Sequence, residues 1–350
     1  MANHAMDLPA LTHALAAGRS LTSAEAAFAA NAMVATGVAD DLKEAFLLAL
    51  ARRGETATEV TAFAQAYRGL ARQVDFGTVP ARAIDIVGTG GDRSGSFNIS
   101  SVSSLIVAAA GVPVIKHGNR SITSKSGSAD FLAGLGVDLE ADAAGLRRAL
   151  AQANFCYLYA PAFHPAFKAI VGVRKKIAEG GAKTIFNVLG PLINPAQPAR
   201  MLVGVYDMRW VEPIAAALHD LGVKRGLVTH TVAGGGMDEV ATAGPVRVRG
   251  CGELRHVDAT WLPGDFGFAQ CSVADLRGGT PEENLVMFSD LLVGGVSEGL
   301  LDTLCLSAGT ALWVAGVVAE PGAGAALACR IILGGALREE ALKLREAYRN

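Results

Sequence analysis

The chain has 350 residues, 51% of them hydrophobic, and this length and composition allow about two domains with a sizeable core. It carries 31 Lys and Arg against 33 Asp and Glu, and the net charge of −2 argues against a nucleic-acid partner, which usually requires a basic surface. The N-terminus lacks the basic and apolar segments of a signal peptide, and no apolar run approaches the ~20 residues of a membrane span, so we expect a cytoplasmic protein without membrane contact.

The first 75 residues are predicted to form a separate helical domain. Apolar positions recur every three to four residues in AAFAANAMVATG and LKEAFLLALARRG. Thr22 with Glu25, and Thr56 with Glu59, have the spacing of capping boxes, which begin helices. No strand-like run appears before residue 84, and the loop VDFGTVPAR ends the domain.

Residues 82–350 are predicted to form a larger α/β domain. The short apolar runs AIDIVG, VPVIKHG, CYLYA, MLVGVY and RGLVTH alternate with longer, helix-compatible segments. This alternation is typical of a mostly parallel central sheet flanked by helices. Thr280, Pro281 and Glu283 have the pattern of a capped helix start near the C-terminus.

The five cysteines are scattered along the chain. Their number is odd, and their spacing matches neither a zinc site nor a disulfide framework. We therefore expect reduced thiols, as is usual in the cytoplasm. The cysteines are Cys156, Cys251, Cys271, Cys305 and Cys329.

A glycine loop, DIVGTGGDRSGSFNISS, spans residues 85–101 and follows the first predicted strand. Glycines admit positive φ and let backbone N–H groups approach an anion. Asn98, Ser100 and Ser101 precede an apolar helix, whose N-terminus suits phosphate or metal-bound phosphate. The pattern is neither a Walker motif nor a dinucleotide fingerprint. A plain glycine turn with an ordinary helix cap explains this stretch about equally well.

A basic, serine-rich loop, IKHGNRSITSKSGSAD, covers residues 115–130 after the second predicted strand. Lysines, hydroxyls and backbone amides at a strand end can clamp a polyanion, although a solvated polar loop is the simpler alternative. Within it, His117 is either a base or a hydrogen-bond donor.

Adjacent carboxylates of Asp238 and Glu239 stand in AGGGMDEV, after another predicted strand. Such a pair can coordinate Mg²⁺ that also binds substrate phosphates. A solvated acidic turn is the alternative. The glycine loop, the basic loop and this acidic pair each end a separate strand, and a doubly wound sheet brings such ends to one edge. Together they predict a Mg²⁺–polyphosphate site.

A place for a carboxylate is predicted beside that site. His164 and Arg174 lie ten residues apart in PAFHPAFKAIVGVRKK, about three helical turns, so they can face one ligand. Arg174 can grip a carboxylate with two hydrogen bonds, although a surface arginine is the simpler interpretation. Gly190 in KTIFNVLGPLINPAQP marks either a turn or an apolar slot for a flat ligand.

Five motifs occur in the order and approximate spacing of one enzyme family: GTGGD…FNISS, KHGNRS…SKSGSAD, FNVLGPLINP, GGMDE and GGTPEEN. Over nearly its whole length the chain resembles the anthranilate phosphoribosyltransferases, tryptophan-pathway enzymes that join anthranilate to phosphoribosyl pyrophosphate. The resemblance implies a homodimer formed through the helical domain. It also implies an active site between the two domains, with a segment near residues 180–200 packing on the helical domain.

The resemblance also implies roles for individual residues. Mg²⁺ would be held by Ser100, Asp238 and Glu239. Anthranilate would contact Asn119 and Arg174, with Gly88 nearby and His164 lining the entry channel. Phosphoribosyl pyrophosphate would contact Gly88, Gly91, Asp92, Ser96, Asn98, Ile99, Ser100, Ser101, Lys116, His117, Gly118, Asn119, Arg120, Ser121, Ile122, Thr123, Ser124 and Ser128.

The chain departs from the family pattern near these loops. Arg93 stands where the family often has glycine, Ser101 where it often has threonine, and Lys183 where arginine is common. The segment 175–183 is a few residues longer than usual. These departures lie near the ligand loops and leave the phosphoribosyl motifs intact.

The expected chemistry needs no dedicated base. Loss of pyrophosphate from the anomeric carbon passes through an oxocarbenium-like state, and a neutral aromatic amine is nucleophilic enough to attack it. Two alternatives stay open at this point. One is a nucleoside phosphorylase, which shares the architecture, and the other is a non-enzymatic family member that binds nucleic acid.

Overall fold

A computed structural model of the chain describes residues 6–120 and 125–349. Its N-terminal helices begin where the sequence indicates: Thr22 and Thr56 each accept the backbone N–H of the glutamate three residues on, and that glutamate reciprocates. Glu59 also accepts the Leu21 N–H at 2.8 Å and pairs with Arg53, which ties three helices together. The helices are α1 Leu8–Ala16, α2 Ser23–Val34, α3 Asp40–Arg53 and α4 Ala57–Leu70.

The α/β domain is built on a seven-stranded sheet of order β3-β2-β1-β4-β5-β6-β7. The first five strands are parallel to their neighbours, which confirms the mostly parallel sheet, and β6 and β7 are antiparallel additions that the sequence analysis missed. The strands are β1 Ile84–Gly88, β2 Val114–Gly118, β3 Phe155–Tyr159, β4 Arg200–Gly204, β5 Arg225–Thr231, β6 Val246–Gly252 and β7 Asp258–Trp261.

Helices cover both faces of this sheet. Within residues 6–120 and 125–349, no helix combines the length and apolar character needed to cross a membrane. The helices are α5 Ile99–Ala109, α6 Ser128–Gly134, α7 Ala143–Ala153, α8 Ala160–Phe163, α9 Val171–Glu179, α10 Phe186–Leu189, α11 Val211–Asp220, α12 Pro281–Leu291, α13 Glu298–Val314, α14 Pro321–Leu333 and α15 Ala336–Ala347.

The core divides along the sheet because successive side chains of a strand point to opposite faces. Leu202 of β4 joins the core formed with α5 and α12 to α15. Its neighbours Met201 and Val203 join a second core, which contains the buried residues of α1 to α4. The helical domain therefore completes one face of the sheet and shares its apolar interior.

The segment 180–200 lies against the helical domain. The Tyr67 ring on α4 stacks on Phe186 at 5.8 Å between centroids. The buried Arg68 donates from Nε to the carbonyl of Leu192 at 2.7 Å. This segment thus joins α4 to the edge of the sheet where the site residues lie.

The expectation of five reduced thiols is wrong for two cysteines. Cys305 on α13 and Cys329 on α14 form a disulfide, with their Cα atoms 5.2 Å apart. The other three cysteines are free. The pairing follows from close helix packing: a Cβ on Gly309 would overlap the backbone of Ala325, so only glycine allows α13 and α14 to approach this closely. A sequence separation of 24 residues gives no hint of that approach.

Candidate active site

Glycines at the carboxyl ends of the strands let the acidic loop lie directly on the sheet. A Cβ on Gly204, the last residue of β4, would overlap the carbonyl oxygen of Asp238. A Cβ on Gly88, the last residue of β1, would overlap the Asp238 carboxylate. The position of the acidic pair therefore depends on the absence of two side chains that lie far from it in sequence.

Asp238 also holds the glycine loop. The Gly90 N–H donates to its Oδ2 at 2.5 Å. Gly90 and Gly91 have φ values of 72° and 77°, the left-handed conformation that glycine adopts without strain. Arg93 has a φ of 59° in the same loop, where a side chain is unfavourable.

The surroundings of the acidic pair disfavour its charged form. Burial and the neighbouring Asp92 raise the pKa of Asp238 well above its usual value, and burial raises that of Glu239 to about 8. Glu239 Oε1 accepts the backbone N–H of Ser100 at 3.2 Å, at the start of α5. A positive charge placed beside both carboxylates would favour their ionised forms.

The donor set fits Mg²⁺ carrying phosphate better than a metal held by protein alone. Among the described residues, no group of three or more His, Cys, Asp or Glu side chains is arranged to hold a metal ion. Mg²⁺ commonly uses one or two carboxylates, completed by water and substrate phosphates. Asp238 and Glu239, near the Ser100 hydroxyl, match that requirement.

Lys116 is buried on β2 beside these acids. Its Nζ donates to the carbonyl of Ile86 and lies 3.4 Å from the Ser100 hydroxyl. Burial lowers its pKa, which Asp85, Glu239 and Asp238 partly restore. The ammonium group is thus the only nearby protein cation within the described chain that reaches Ser100, and it suits a phosphate oxygen.

A buried polar cluster orients His117. Asp85 accepts the His117 backbone N–H at 3.4 Å and the Asn194 side-chain amide at 2.9 Å. The Nδ1 atom of His117 lies 3.2 Å from the carbonyl of Gly190, so Nδ1 carries the hydrogen because a carbonyl only accepts. Burial lowers the pKa of His117 to about 3, so the ring is neutral at pH 7.

His164 and Arg174 do not share one helix, in contrast to the sequence expectation. Pro165 disfavours a helical residue before it, and His164 has φ −120° and ψ 62° between α8 and a 3-10 turn, Pro165–Ile170. Arg174 lies on α9, with its guanidinium 5.0 Å above the Phe186 ring. The two residues nevertheless approach the same aromatic cluster, because His164 stacks on Phe167 at 5.3 Å and Phe167 packs against Phe186.

The remaining predicted contacts divide by exposure. Asn119 and Arg120 are exposed at the end of β2, and Arg120 pairs with Asp130. Ile99 and Ser101 are buried within α5, so their side chains face the core. Gly91, Asp92, Ser96, Gly118 and Ser128 are partly exposed on the loops around the site. Ser121, Ile122, Thr123 and Ser124 lie outside the described residues.

Asn98 is engaged within the protein. Its Oδ1 accepts from the Asn284 amide at 2.8 Å and from the Ser126 hydroxyl at 3.3 Å. The sequence analysis missed Asn284, although it stands in the quoted motif GGTPEEN. It also missed Asp85 and Asn194; a charged residue inside the apolar strand AIDIVG was the available signal for Asp85.

Lys183 connects the glycine loop to the segment 180–200. Its Nζ donates to the carbonyl of Gly91 at 3.0 Å and lies 3.3 Å from the centre of the Tyr206 ring. Burial lowers its pKa, and the positive charge of Arg93 lowers it further. Arg93 and Lys183, which both depart from the family pattern, therefore interact electrostatically.

A helical bundle domain joined to an α/β domain is the architecture of a glycosyl transferase family. The family model for the helical bundle domain of the glycosyl transferase family matches residues 9–71, and that for its a/b domain matches residues 80–337. Within this class, the chain is 44% identical over 341 residues to the anthranilate phosphoribosyltransferase of Parvibaculum lavamentivorans, covering 97% of this chain and 96% of the relative.

Solved structures of the same enzyme family resemble this chain. The anthranilate phosphoribosyltransferase of Thermus thermophilus is 37% identical with a TM-score of 0.88, covering 97% of this chain and 99% of that one. The Saccharomyces cerevisiae enzyme, in complex with PRPP and Mg, shares the fold at 22% identity and a TM-score of 0.85, with 97% of each chain covered. The chain belongs to the anthranilate phosphoribosyltransferase family, and the two alternative functions receive no support.

Proposed function

We infer that the protein transfers the phosphoribosyl group of phosphoribosyl pyrophosphate to anthranilate in tryptophan biosynthesis. The products are N-(5-phosphoribosyl)anthranilate and pyrophosphate. The observation that carries this inference is the meeting of the glycine loop, Lys116, Ser100 and the adjacent acids Asp238 and Glu239 at one edge of the sheet, in a chain 44% identical to a member of the family.

We propose that Asp238, Glu239 and Ser100 hold Mg²⁺ and that the glycine and basic loops hold the pyrophosphate. The metal, when bound, neutralises charge that develops on the leaving pyrophosphate. The support is electrostatic: the pKa values of both acids are raised, so a divalent cation would relieve their unfavourable charge. The ammonium of Lys116 adds fixed positive potential for the phosphates.

The acceptor is proposed to bind where Arg174 meets the aromatic cluster. Its carboxylate would pair with the guanidinium, and Asn119 would add a contact at the end of β2. His117 and His164, with pKa values of about 3 and about 4, are weak bases. The amine of anthranilate is itself neutral, so its attack requires orientation rather than strong base catalysis.

The direct test uses purified protein with Mg²⁺, phosphoribosyl pyrophosphate and anthranilate. Anthranilate fluorescence should fall with time, and omitting Mg²⁺ or phosphoribosyl pyrophosphate should abolish the change. A folded sample that leaves anthranilate unconsumed would refute the proposed activity. Inorganic phosphate and a nucleoside, supplied instead of phosphoribosyl pyrophosphate and anthranilate, should give no reaction.

Arg174→Ala should raise the KM for anthranilate about 10- to 100-fold, because a charge-assisted contact is worth roughly 1.5–3 kcal/mol. The KM for phosphoribosyl pyrophosphate should change little. Lys175→Ala provides a matched control, since the neighbouring Lys175 is exposed and pairs with Glu179 at the surface. If Arg174→Ala alters both Michaelis constants equally, its assigned role is wrong.

We further propose a homodimer formed through the helical domain and located in the cytoplasm. Partly exposed apolar side chains on that domain, Leu42 at 38% and Leu70 at 42%, give limited support for a contact surface. Light scattering on the purified protein gives the mass directly. A monomeric mass at micromolar concentration would contradict the dimer without affecting the assigned reaction.

A further inference from the structure

Six rings connect the helical domain to the end of β2, and we call them the aromatic chain. Tyr67 on α4 packs edge-on against Phe167 with centroids 4.8 Å apart. Phe167 stacks on His164 at 5.3 Å, and His164 meets His117 at 5.1 Å. The members are Phe63, Tyr67, Phe167, Phe186, His164 and His117. The aromatic chain thus joins the helical domain to residues at the proposed acceptor site.

Tyr67 is fixed in the middle of this chain. Its side chain is fully buried, and Phe63, Phe167 and Phe186 contact its ring from three directions. Its hydroxyl has no hydrogen-bond partner within the described residues. A buried hydroxyl without a partner is unfavourable, and native proteins retain few such groups. Ring packing alone therefore does not explain a tyrosine at this position.

Arg174, like the Tyr67 hydroxyl, has no polar partner among the described residues. It is half-buried over the Phe186 ring, and neither an ion pair nor a hydrogen bond joins it to another described residue. Burial lowers the pKa of Arg174. Burial raises the pKa of Tyr67 well above its usual value, and the positive charge of Arg174 opposes that rise, so each group lies in the electrostatic field of the other. Both groups contact Phe186, whose ring stacks on Tyr67 and lies beneath the guanidinium of Arg174.

We propose that Tyr67 is a positioning residue for the acceptor. Its ring holds Phe186 beneath the guanidinium of Arg174, and its hydroxyl accepts a hydrogen bond from Arg174 once an aromatic carboxylate is bound. The proposal rests on the transferase function inferred above and extends it to the helical domain. Tyr67 touches no reacting atom and acts through Arg174, so its effect is confined to binding of the carboxylate-bearing acceptor.

Tyr67→Phe separates this role from simple packing, because it removes only the hydroxyl. The KM for anthranilate should rise roughly three- to tenfold, the loss expected for one hydrogen bond. The KM for phosphoribosyl pyrophosphate should stay within about twofold of the wild-type value, because Tyr67 is not expected to contribute to binding of that substrate. The thermal midpoint should stay equal or rise, since the variant removes an unsatisfied buried hydroxyl.

Coupling to Arg174 is the sharper test. In an Arg174→Ala background, Tyr67→Phe should produce no further rise in the KM for anthranilate, because the partner is already gone. Tyr348→Phe is the matched control: its hydroxyl accepts the Tyr157 N–H at 3.3 Å, away from the aromatic chain. That control should leave both Michaelis constants at wild-type values.

The outcomes are distinguishable. An active wild type with an unchanged anthranilate KM in Tyr67→Phe overturns the proposal, as do independent effects of the two substitutions. A lower thermal midpoint with unchanged kinetics assigns Tyr67 to packing alone and also overturns it. A folded wild type without turnover refutes the transferase function itself, and this inference with it.

Discussion

Arg93 adopts a φ of 59° in the loop after β1, in the left-handed region that favours glycine. Gly90, Gly91 and Gly95 in the same loop have φ values between 62° and 77°. The resemblance expects glycine at position 93, and the backbone supplies the physical reason. The arginine persists in a strained conformation, and its charge adds to burial in lowering the pKa of Lys183.

Arg93→Gly should therefore stabilise the protein. Relief of the left-handed strain, about 1–2 kcal/mol, exceeds the roughly 0.5–1 kcal/mol of extra chain entropy that glycine costs. We expect the free energy of unfolding to rise by up to about 1 kcal/mol, measured by chemical denaturation. Arg93→Ala removes the charge but keeps the strain, so it should give no comparable gain. Equal stabilisation by both variants would point to charge instead.

His164 gives the folded protein a pH dependence. Its pKa is lowered by burial to about 4, below the ~6.5 of an exposed histidine. The stability that this neutral ring contributes is present above pH 6.5 and is lost as the pH falls towards 4, because the unfolded chain binds the proton more readily.

His164→Asn should flatten this dependence. Between pH 6.5 and 4.5 the slope of unfolding free energy should fall by up to about 1.4 kcal/mol per pH unit, the value for one proton. Denaturation curves at several pH values measure it. Above pH 7 the wild-type and variant curves should run parallel, and parallel curves throughout would show that His164 does not titrate as described.

At the scale of elements, the site depends on how loops lie on strand ends. β1 and β4 are neighbours with Gly88 beside Gly204, and the acidic loop after β5 crosses both. The sequence indicates each loop separately. The contacts between these loops depend on which strands become neighbours. No single sequence segment predicts that β1 lies next to β4.

Gly204→Ala should displace the acidic loop, because the new Cβ would overlap the Asp238 carbonyl. We expect a loss of about 2 kcal/mol or more in unfolding free energy, and at least a tenfold loss in transferase kcat/KM. Gly69→Ala on α4 is the matched control. It has open space around the added Cβ and should stabilise the helix by about 0.5–1 kcal/mol. Wild-type activity in Gly204→Ala would contradict this packing.

At the scale of the whole molecule, one apolar core spans both domains. Buried residues of α1 to α4 belong to the same cluster as Phe186, Leu192 and Met201. A bundle separated from the sheet would expose that surface to water. The helical domain is therefore a structural part of the α/β domain as well as the carrier of Tyr67.

A fragment of residues 1–77 should consequently fail to fold alone. It should show low helicity or aggregation by circular dichroism and light scattering, because its apolar face lacks Phe186 and Leu192 as partners. The full chain should unfold in a single transition. Cooperative unfolding of the isolated fragment would contradict the shared core.

How much of the structure the sequence predicts depends on how far apart in sequence the interacting residues are. Capping boxes at Thr22, Thr56 and Thr280 are local, and all three are confirmed. The five parallel strands were visible as apolar runs, whereas β6 and β7 were missed because VRVRGCG alternates with arginine. The substrate and metal contacts of the site residues stay predictions.

The sequence by itself determined the helical and α/β domains, the parallel sheet and the family, since these follow from local periodicity, capping and motif order. Tertiary structure decided what depends on contacts between distant segments: the disulfide between Cys305 and Cys329, the pKa values of the buried acids and histidines, the break between His164 and Arg174, and the approach of Tyr67 to Phe186. Burial and electrostatic fields are sums over neighbours, and only the fold determines which residues those neighbours are.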